Sequence, residues 1–163
     1  MTMVDEHGPA LHGDAGDLEA IERLAAVGTW RLDLRTGEYT WSPGLYRLMG
    51  EPETFVPTAE NRWQMCHPDD RHLLDAARTA IDRGEPFRLR YRIVRPDGAV
   101  RWILNTAEPI RDGGGAPLAY RGVVRDVTTE TEYHASLERD RRRLMEAQAV
   151  ARRLQQPEAA VAL

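Results

Sequence analysis

Four neighbouring residues carry side chains that could do chemistry. Cys66, His67, Asp69 and Asp70 lie within five positions, in the order Cys-His-Pro-Asp-Asp. Thiolate, imidazole and carboxylate groups bind metal ions, and imidazole exchanges protons near neutral pH. The same pattern is also typical of a helix start, because Pro68 fits the first turn and two acidic residues suit the positive end of the helix dipole. We favour the helix start and predict no metal site.

A second group that could do chemistry is a block of arginines near the C-terminus: Arg139, Arg141, Arg142 and Arg143. Such a block could bind DNA. Acidic residues interleave with it, however, and the chain carries a net charge of −4, which argues against a general nucleic-acid binder. We therefore predict a solvated helix flank and no nucleic-acid partner.

The composition limits the class of protein. The chain has 163 residues, enough for one domain, and its single cysteine excludes an internal disulfide framework. No apolar run approaches the roughly 18 residues that cross a bilayer, and residues 1–17 lack the features of a signal peptide. We expect a cytoplasmic protein with no membrane contact, in which residues 1–16 form a disordered leader.

These residues must be positioned by regular elements, and the N-terminal half predicts both helices and strands. A helix over residues 17–28, ended by Gly28, flanks a globular body over residues 29–128. Within that body, two alternating strands precede a short helix that begins at Pro43. Residues 58–66 predict one or two helical turns, and a longer helix follows over residues 68–84.

The C-terminal half of the body predicts three long strands. Residues 87–94 alternate between apolar side chains and arginines, which is the period of a half-buried strand. Asp97-Gly98 is typical of a two-residue hairpin turn. In the next strand alternate side chains should share one face: Val100, Trp102, Leu104 and Thr106. The element order predicts an α+β fold, a five-stranded antiparallel sheet with helices on one face.

Three arginines, Arg88, Arg90 and Arg92, share a face of the strand over residues 87–94. They need acidic partners, solvent or an anionic surface. We hypothesise that Glu19 and Glu22 of the N-terminal helix supply the partners.

A last helix is predicted over residues 129–155, with a tail over residues 156–163. One series in it alternates spacings of four and three, as in a coiled coil: Tyr133, Leu137, Asp140, Leu144, Ala147, Ala151 and Leu154. All but Asp140 form a mainly apolar dimer seam. The sequence therefore predicts a homodimer through its flanking helices, and the alternative is a solvated surface helix with chance spacing.

Several short motifs, in order, resemble the PAS domain family, in the subclass whose C-terminal half is called the PAC motif. They are HPDDR at residues 67–71, Phe87 with Tyr91-Arg92, Asp97-Gly98 with Arg101-Trp102, Gly122, and Asp126-Val127-Thr128. The resemblance covers roughly residues 20–130. One departure is Arg90, which stands where the family usually has an acidic residue.

The resemblance implies a sensory or dimerising module of signal transduction, such as the sensor part of a histidine kinase of a two-component system or of a cyclase. Asp126, Val127 and Thr128 would then be the signal-transfer junction to an output helix. A sheet that cups a small cavity is also implied, with the following candidate pocket residues: Tyr46, Trp63, Leu74, Tyr91, Trp102, Leu104 and Val124.

The family includes flavin and haem sensors, and the matching positions argue against both cofactors here. Cys66 lacks the sequence context of the photoreactive cysteine, and Val124 stands where the flavin-facing glutamine is expected. His72 falls about two residues before the haem-ligand position, which aligns near Leu74. We predict no cofactor and retain a haem or flavin sensor as one alternative and a ligand-free dimerisation adaptor as another.

No catalytic function is predicted. His134 lacks the residues that follow the phospho-accepting histidine of histidine kinases, and no ATP-binding glycine box comes after it. No nucleophile–base pair is evident either. We expect a module that binds a small molecule or a signalling partner, or is fused to an output domain, and is not itself an enzyme.

Overall fold

The computed structural model describes residues 15–155, with side chains from 16 to 153. Between residues 15 and 155, five α-helices and five strands follow in this order: α1 (Ala15–Leu24), β1 (Val27–Asp33), β2 (Tyr39–Trp41), α2 (Pro43–Met49), α3 (Ala59–Met65), α4 (Arg71–Asp82), β3 (Phe87–Val94), β4 (Val100–Arg111), β5 (Pro117–Asp126) and α5 (Thr128–Gln155). A 3-10 turn, Pro68–Asp70, precedes α4. The chain divides into two compact units after Asp126.

The first unit is built on one antiparallel sheet in the order β2-β1-β5-β4-β3. Its inner face packs against α2, α3 and α4, and the core formed there joins strand residues such as Tyr91 and Ile103 to Leu45 and Met65 of the helices. The predicted α+β fold class is confirmed. Because β5 is the central strand, it contacts both halves of the sheet.

The N-terminal helix is shorter than predicted. It ends at Leu24 rather than Gly28, Ala26 adopts a left-handed conformation (φ 50°), and β1 begins at Val27. Gly28 therefore lies within a strand. A Cβ atom there would stand 2.3 Å from the Cα of Leu45, so glycine is required for the close approach of β1 and α2 and not for ending a helix.

In the β3–β4 hairpin, the side chains of β4 lie on the opposite faces of the sheet from those predicted. The turn has three residues, because Arg95 N–H donates to Ala99 O at 2.9 Å and Gly98 closes it at a positive φ of 82°. Tyr91 consequently pairs with Ile103. A one-residue shift in register turns every side chain of a strand to the other face. Ile103, Asn105 and Ala107 are buried on the inner face, whereas Trp102 and Leu104 lie on the outer face.

The second unit contains α5. The helix begins at Thr128, where Thr131 donates from its amide and its hydroxyl to Val127 O. The large side chains of the predicted seam are exposed in the single chain: Tyr133, Leu137 and Leu144. Ala147 and Ala151 are exposed too, and the side chain of Leu154 lies outside the described residues.

The tail over residues 156–163 and residues 1–14 of the predicted leader fall outside the described part of the chain. The last two residues of that leader, Ala15 and Gly16, instead belong to α1. Between residues 15 and 155, no helix has the length and apolar composition needed to cross a membrane.

Candidate functional site

A cavity of about 650 Å³ lies on the inner side of the sheet, between α3, α4 and the strands β1, β2 and β3. Its walls are largely apolar, with contributions from Leu32, Trp63, Leu74, Ala77, Ile81 and Phe87. Four charged side chains line it as well: Glu60, Arg62, Asp75 and Arg78. A cavity of this size that combines apolar walls with a limited number of polar groups has the character of a small-molecule site.

Helix α3 contributes two charged side chains to the lining of this cavity, those of Glu60 and Arg62. The helix is fixed at its start by a capping box, in which Thr58 accepts from the Asn61 amide at 3.1 Å and Asn61 accepts from the Thr58 amide at 2.7 Å. One residue later, Arg62 is half-buried. Its guanidinium lies 4.5 Å from the ring centre of Tyr39 and 5.5 Å from that of Trp30, which are cation–π distances.

Polar groups continue from Arg62 into the core. Burial raises the pKa of the Tyr91 hydroxyl, and the Arg62 guanidinium and hydrogen bonds with the Asn105 and Arg62 side chains oppose that rise. Asn105 in turn accepts from the Trp30 indole N–H at 3.0 Å. Arg62, Tyr91, Asn105 and Trp30 therefore form a line of polar side chains from the cavity across β3, β4 and β1, joined by the Trp30–Asn105 hydrogen bond and by the electrostatic interaction of Tyr91 with Arg62 and Asn105.

The predicted helix start at His67 is present. The His67 Nδ1 accepts from the Asp69 amide at 3.4 Å, and Pro68 opens the 3-10 turn. Asp70 does more than face the helix dipole, because its carboxylate binds Arg92 of β3. In the described part of the chain, no three His, Cys, Asp or Glu side chains come together as metal ligands.

The hypothesis that Glu19 and Glu22 pair with the arginines of β3 is wrong. Glu19 binds Arg47 at 2.9 Å, and Glu22 is buried where it accepts from the Gly44 amide at 2.9 Å. On the outer face, Arg90 and Arg92 instead lie over the Trp102 ring, at 5.5 and 5.4 Å from its centre. The pairing failed because β3 is the sheet edge farthest from β1, the strand that follows α1.

The structure brings two of the seven candidate pocket residues to the cavity wall, Trp63 and Leu74. Tyr91 and Val124 are buried on the inner face beyond the cavity lining. Tyr46 is half-buried, with its ring 5.3 Å from that of Trp41 and its hydroxyl donating to Phe55 O at 3.2 Å.

The other two candidates, Trp102 and Leu104, were expected on the inner face and lie on the outer one. The three-residue turn explains both errors, because it shifts the register of β4 by one residue. A separate hollow of about 900 Å³ lies over that outer face, between residues such as Arg31, Arg88 and Val123.

Neither of the residues that could have anchored a cofactor reaches the cavity. Cys66 is buried outside the lining, where its thiol donates to His67 O at 3.6 Å, and burial raises the pKa of this thiol to about 11. His72 is exposed on α4. No lining residue is a histidine, cysteine or methionine, so the described residues do not fit a haem held by His72 or a flavin bonded to Cys66.

Sequence reasoning missed Arg62 and Asn105. Arg62 lies in a segment that was interpreted only as one or two helical turns. Asn105 could have been found, because it is a polar residue at an inward position of an alternating strand, but the expected register placed it on the other face.

Comparisons with known proteins agree with this architecture. The family model described as the PAS fold matches residues 38–124. The sensor protein FixL of Bradyrhizobium diazoefficiens is 30% identical over 112 residues, which are 68% of this chain and 22% of that protein. A blue-light-activated histidine kinase of Brucella anthropi is 31% identical over 119 residues, 72% of this chain and 24% of that protein.

Solved structures show the same fold. A sensory box histidine kinase/response regulator from Burkholderia thailandensis superposes with a TM-score of 0.62 at 25% identity, and the match covers 79% of this chain and 98% of that one. The N-terminal domain of a diguanylate cyclase with a PAS/PAC sensor from Marinobacter aquaeolei gives 0.60 at 22% identity, over 64% and 98%. The chain spans about a quarter of the length of the curated relatives just described.

Proposed function

Because the chain belongs to the PAS fold family, we propose that it is a sensory module in which a small ligand occupies the cavity beside α3 and α4 and changes the state of α5. The family and the sensory class were both expected from the sequence, and the relatives, a sensor protein and a histidine kinase, agree. The observation that carries the ligand-binding part is the largely apolar cavity of about 650 Å³.

The route from cavity to output follows contacts in the sheet. Arg62 at the cavity contacts the polar line that ends at Trp30, and the Trp30 indole packs directly on Gly122 of β5, where a Cβ would stand 2.4 Å from it. The central strand β5 ends at Asp126, and α5 begins two residues later at Thr128. We assign Asp126, Val127 and Thr128 as the junction through which a change in the sheet reaches the helix.

The output element of the proposed module is a homodimeric coiled coil. Exposed apolar side chains on α5, among them Leu137 and Leu144, recur at heptad spacing and would be buried against a second copy. We propose a cytoplasmic setting and a histidine kinase as fused domain or partner, in keeping with the relatives. We assign no catalytic step, haem or flavin to this chain.

Two alanines provide a matched test of the dimer. Ala147 lies in the seam and Ala149 lies on the opposite side of the same helix, and both are exposed in the single chain. Analytical ultracentrifugation should show a dimer for the unmodified protein and for Ala149→Asp, and a monomer for Ala147→Asp. A monomeric unmodified protein, or an equal effect of the two substitutions, would contradict the proposed output.

Native mass spectrometry tests the sensory part. A dimer that carries mass beyond two polypeptides supports ligand binding, and the excess mass identifies the class of ligand. A dimer of bare chain mass favours the ligand-free adaptor. The excess mass of a haem or flavin would show that the cofactor assignment is wrong.

A further inference from the structure

Among the described residues that line the cavity, Arg62 is the one arginine whose guanidinium lies over aromatic rings. The rings are those of Tyr39 and Trp30, at 4.5 and 5.5 Å. The side chain is half-buried, and no carboxylate lies within 4.0 Å of it in the described part of the chain. By contrast, Arg92, which is also half-buried, binds Asp70 at 2.6 Å.

This half-buried guanidinium has no counter-ion among the described residues. Removing a guanidinium from water without a counter-ion is unfavourable, and aromatic faces replace only part of the lost hydration. The guanidinium has five N–H donors in a planar fork, and the Tyr91 hydroxyl is close enough to interact with it electrostatically. The ligand group that best matches the remaining donors is a carboxylate, which accepts two parallel hydrogen bonds from arginine.

The other walls define the rest of the ligand. Leu74, Ile81 and Phe87 present apolar surface that suits an aryl or alkyl body. Glu60, Asp75 and Arg78 also line the cavity, and all three are exposed. Because the two carboxylates outnumber this one arginine, they would repel a second negative charge, and the cavity favours a ligand with one carboxylate over a phosphate ester or a dicarboxylate.

We propose that the cavity binds a small organic monocarboxylate, with its acid group on Arg62 and its apolar body against Leu74, Ile81 and Phe87. This inference rests on the proposed sensory function and specifies its ligand class. Binding would place a negative charge at the start of the polar line through Tyr91 and Asn105, so the same contact that holds the ligand would report its presence to the sheet.

The first test uses the unmodified protein and pairs of probes that differ only in charge. Phenylacetate and hexanoate are titrated beside phenylacetamide and hexanamide, and binding is followed by two-dimensional amide NMR. We expect at least one acid to bind tenfold or more tightly than its amide, with shifts at Arg62, Tyr39 and the Trp30 indole N–H. Equal binding of acid and amide would overturn the carboxylate assignment, as would no binding of either acid at 10 mM.

The second test compares two arginines of the same cavity. Arg62→Gln should weaken acid binding at least tenfold and leave amide binding unchanged, whereas Arg78→Gln at the exposed rim should change either by less than threefold. Equal losses in both variants would mean general electrostatic attraction and would overturn the proposal. If Arg62→Gln does not fold, Arg62→Lys replaces it, because lysine retains the charge. We expect Arg62→Lys to weaken acid binding less than tenfold and to keep the preference for the acid over the amide.

The two proposals fail separately. If only neutral amides bind, the sensory function stands and the ligand class is wrong. If the ultracentrifugation test of Ala147→Asp and Ala149→Asp fails, the output mechanism is wrong whatever the cavity binds.

Discussion

Asp70 holds Arg92 through three hydrogen bonds. Its Oδ2 accepts from the Arg92 backbone amide at 2.8 Å and from Nε at 2.9 Å, and its Oδ1 accepts from Nη2 at 2.6 Å. The carboxylate thereby fastens the turn that opens α4 to strand β3. The hydrogen bonds from the Arg92 side chain are the main cause that lowers the pKa of Asp70, to about 2 from its ordinary value of 3.8, although burial acts in the opposite direction.

Replacing this carboxylate should destabilise the fold. Asp70→Asn keeps the shape of the side chain and removes its charge, and we expect it to lower the free energy of unfolding by about 1–3 kcal/mol at pH 7. Asp69→Asn is the control, because Asp69 is exposed and its carboxylate comes no closer than 3.5 Å to the Arg92 guanidinium. This substitution should lower the free energy of unfolding by less than about 1 kcal/mol. Urea unfolding measures both, and similar losses would contradict the assigned role.

The same bond predicts a dependence on pH. The pKa of Asp70 is lower in the folded state than in the unfolded one, so its stabilising contribution is complete above about pH 5 and is lost as the pH falls from about 4 to 2. The stability difference between the unmodified protein and Asp70→Asn should therefore shrink over that window. A difference that stayed constant from pH 7 to pH 3 would show that the carboxylate charge is not responsible.

The close approach of β1 to α2 predicts an intolerant glycine. In Gly28→Ala the new Cβ would stand 2.3 Å from the backbone of Leu45, and backbone cannot swing aside as a side chain can. We expect a loss of about 2–4 kcal/mol, or failure to fold. Gly113→Ala, which has nothing within 4 Å of its Cβ, should change the melting temperature by no more than a degree or two.

The sequence determined the order of the elements well, because alternation and helix boundaries are local signals. The short helix from Pro43 to Gly50 illustrates this, with Ser42 capping its start and Gly50 in a left-handed conformation at its end. Which face of the sheet each β4 side chain occupies is not decided by a local signal. It depended on whether the β3–β4 turn has two or three residues, and Asp97-Gly98 is compatible with both.

The site was harder to predict for the same reason. Trp63 and Leu74 were expected at the cavity from the family resemblance, and both line it. The importance of Arg62 depends on Tyr39, Trp30 and Tyr91, which lie on three different strands, and no spacing along the chain indicates that these side chains meet.

Cys66 should be unreactive in the native protein. It is buried, and burial raises the pKa of its thiol to about 11. Only the thiolate reacts with alkylating agents, so at pH 8 labelling by iodoacetamide should be roughly a hundredfold slower than in urea-unfolded protein, where the pKa returns to about 8.5. Labelling as fast as that of the unfolded chain would show that Cys66 is accessible and reactive, which would contradict this prediction.

Glu22 should anchor α1 to the rest of the first unit. Its carboxylate is buried, accepting from the Gly44 amide at 2.9 Å and from the Thr29 hydroxyl at 3.4 Å. Glu22→Ala would leave the Gly44 amide without this acceptor, and we expect a loss of about 1–3 kcal/mol in the free energy of unfolding. Glu19→Ala on the same helix removes only an exposed ion pair with Arg47 and should cost less than about 1 kcal/mol. Hydrogen exchange separates local from global effects: in Glu22→Ala the amides of α1 should exchange faster than those of the central strand β5, and unchanged protection of α1 would show that the helix is held by other contacts.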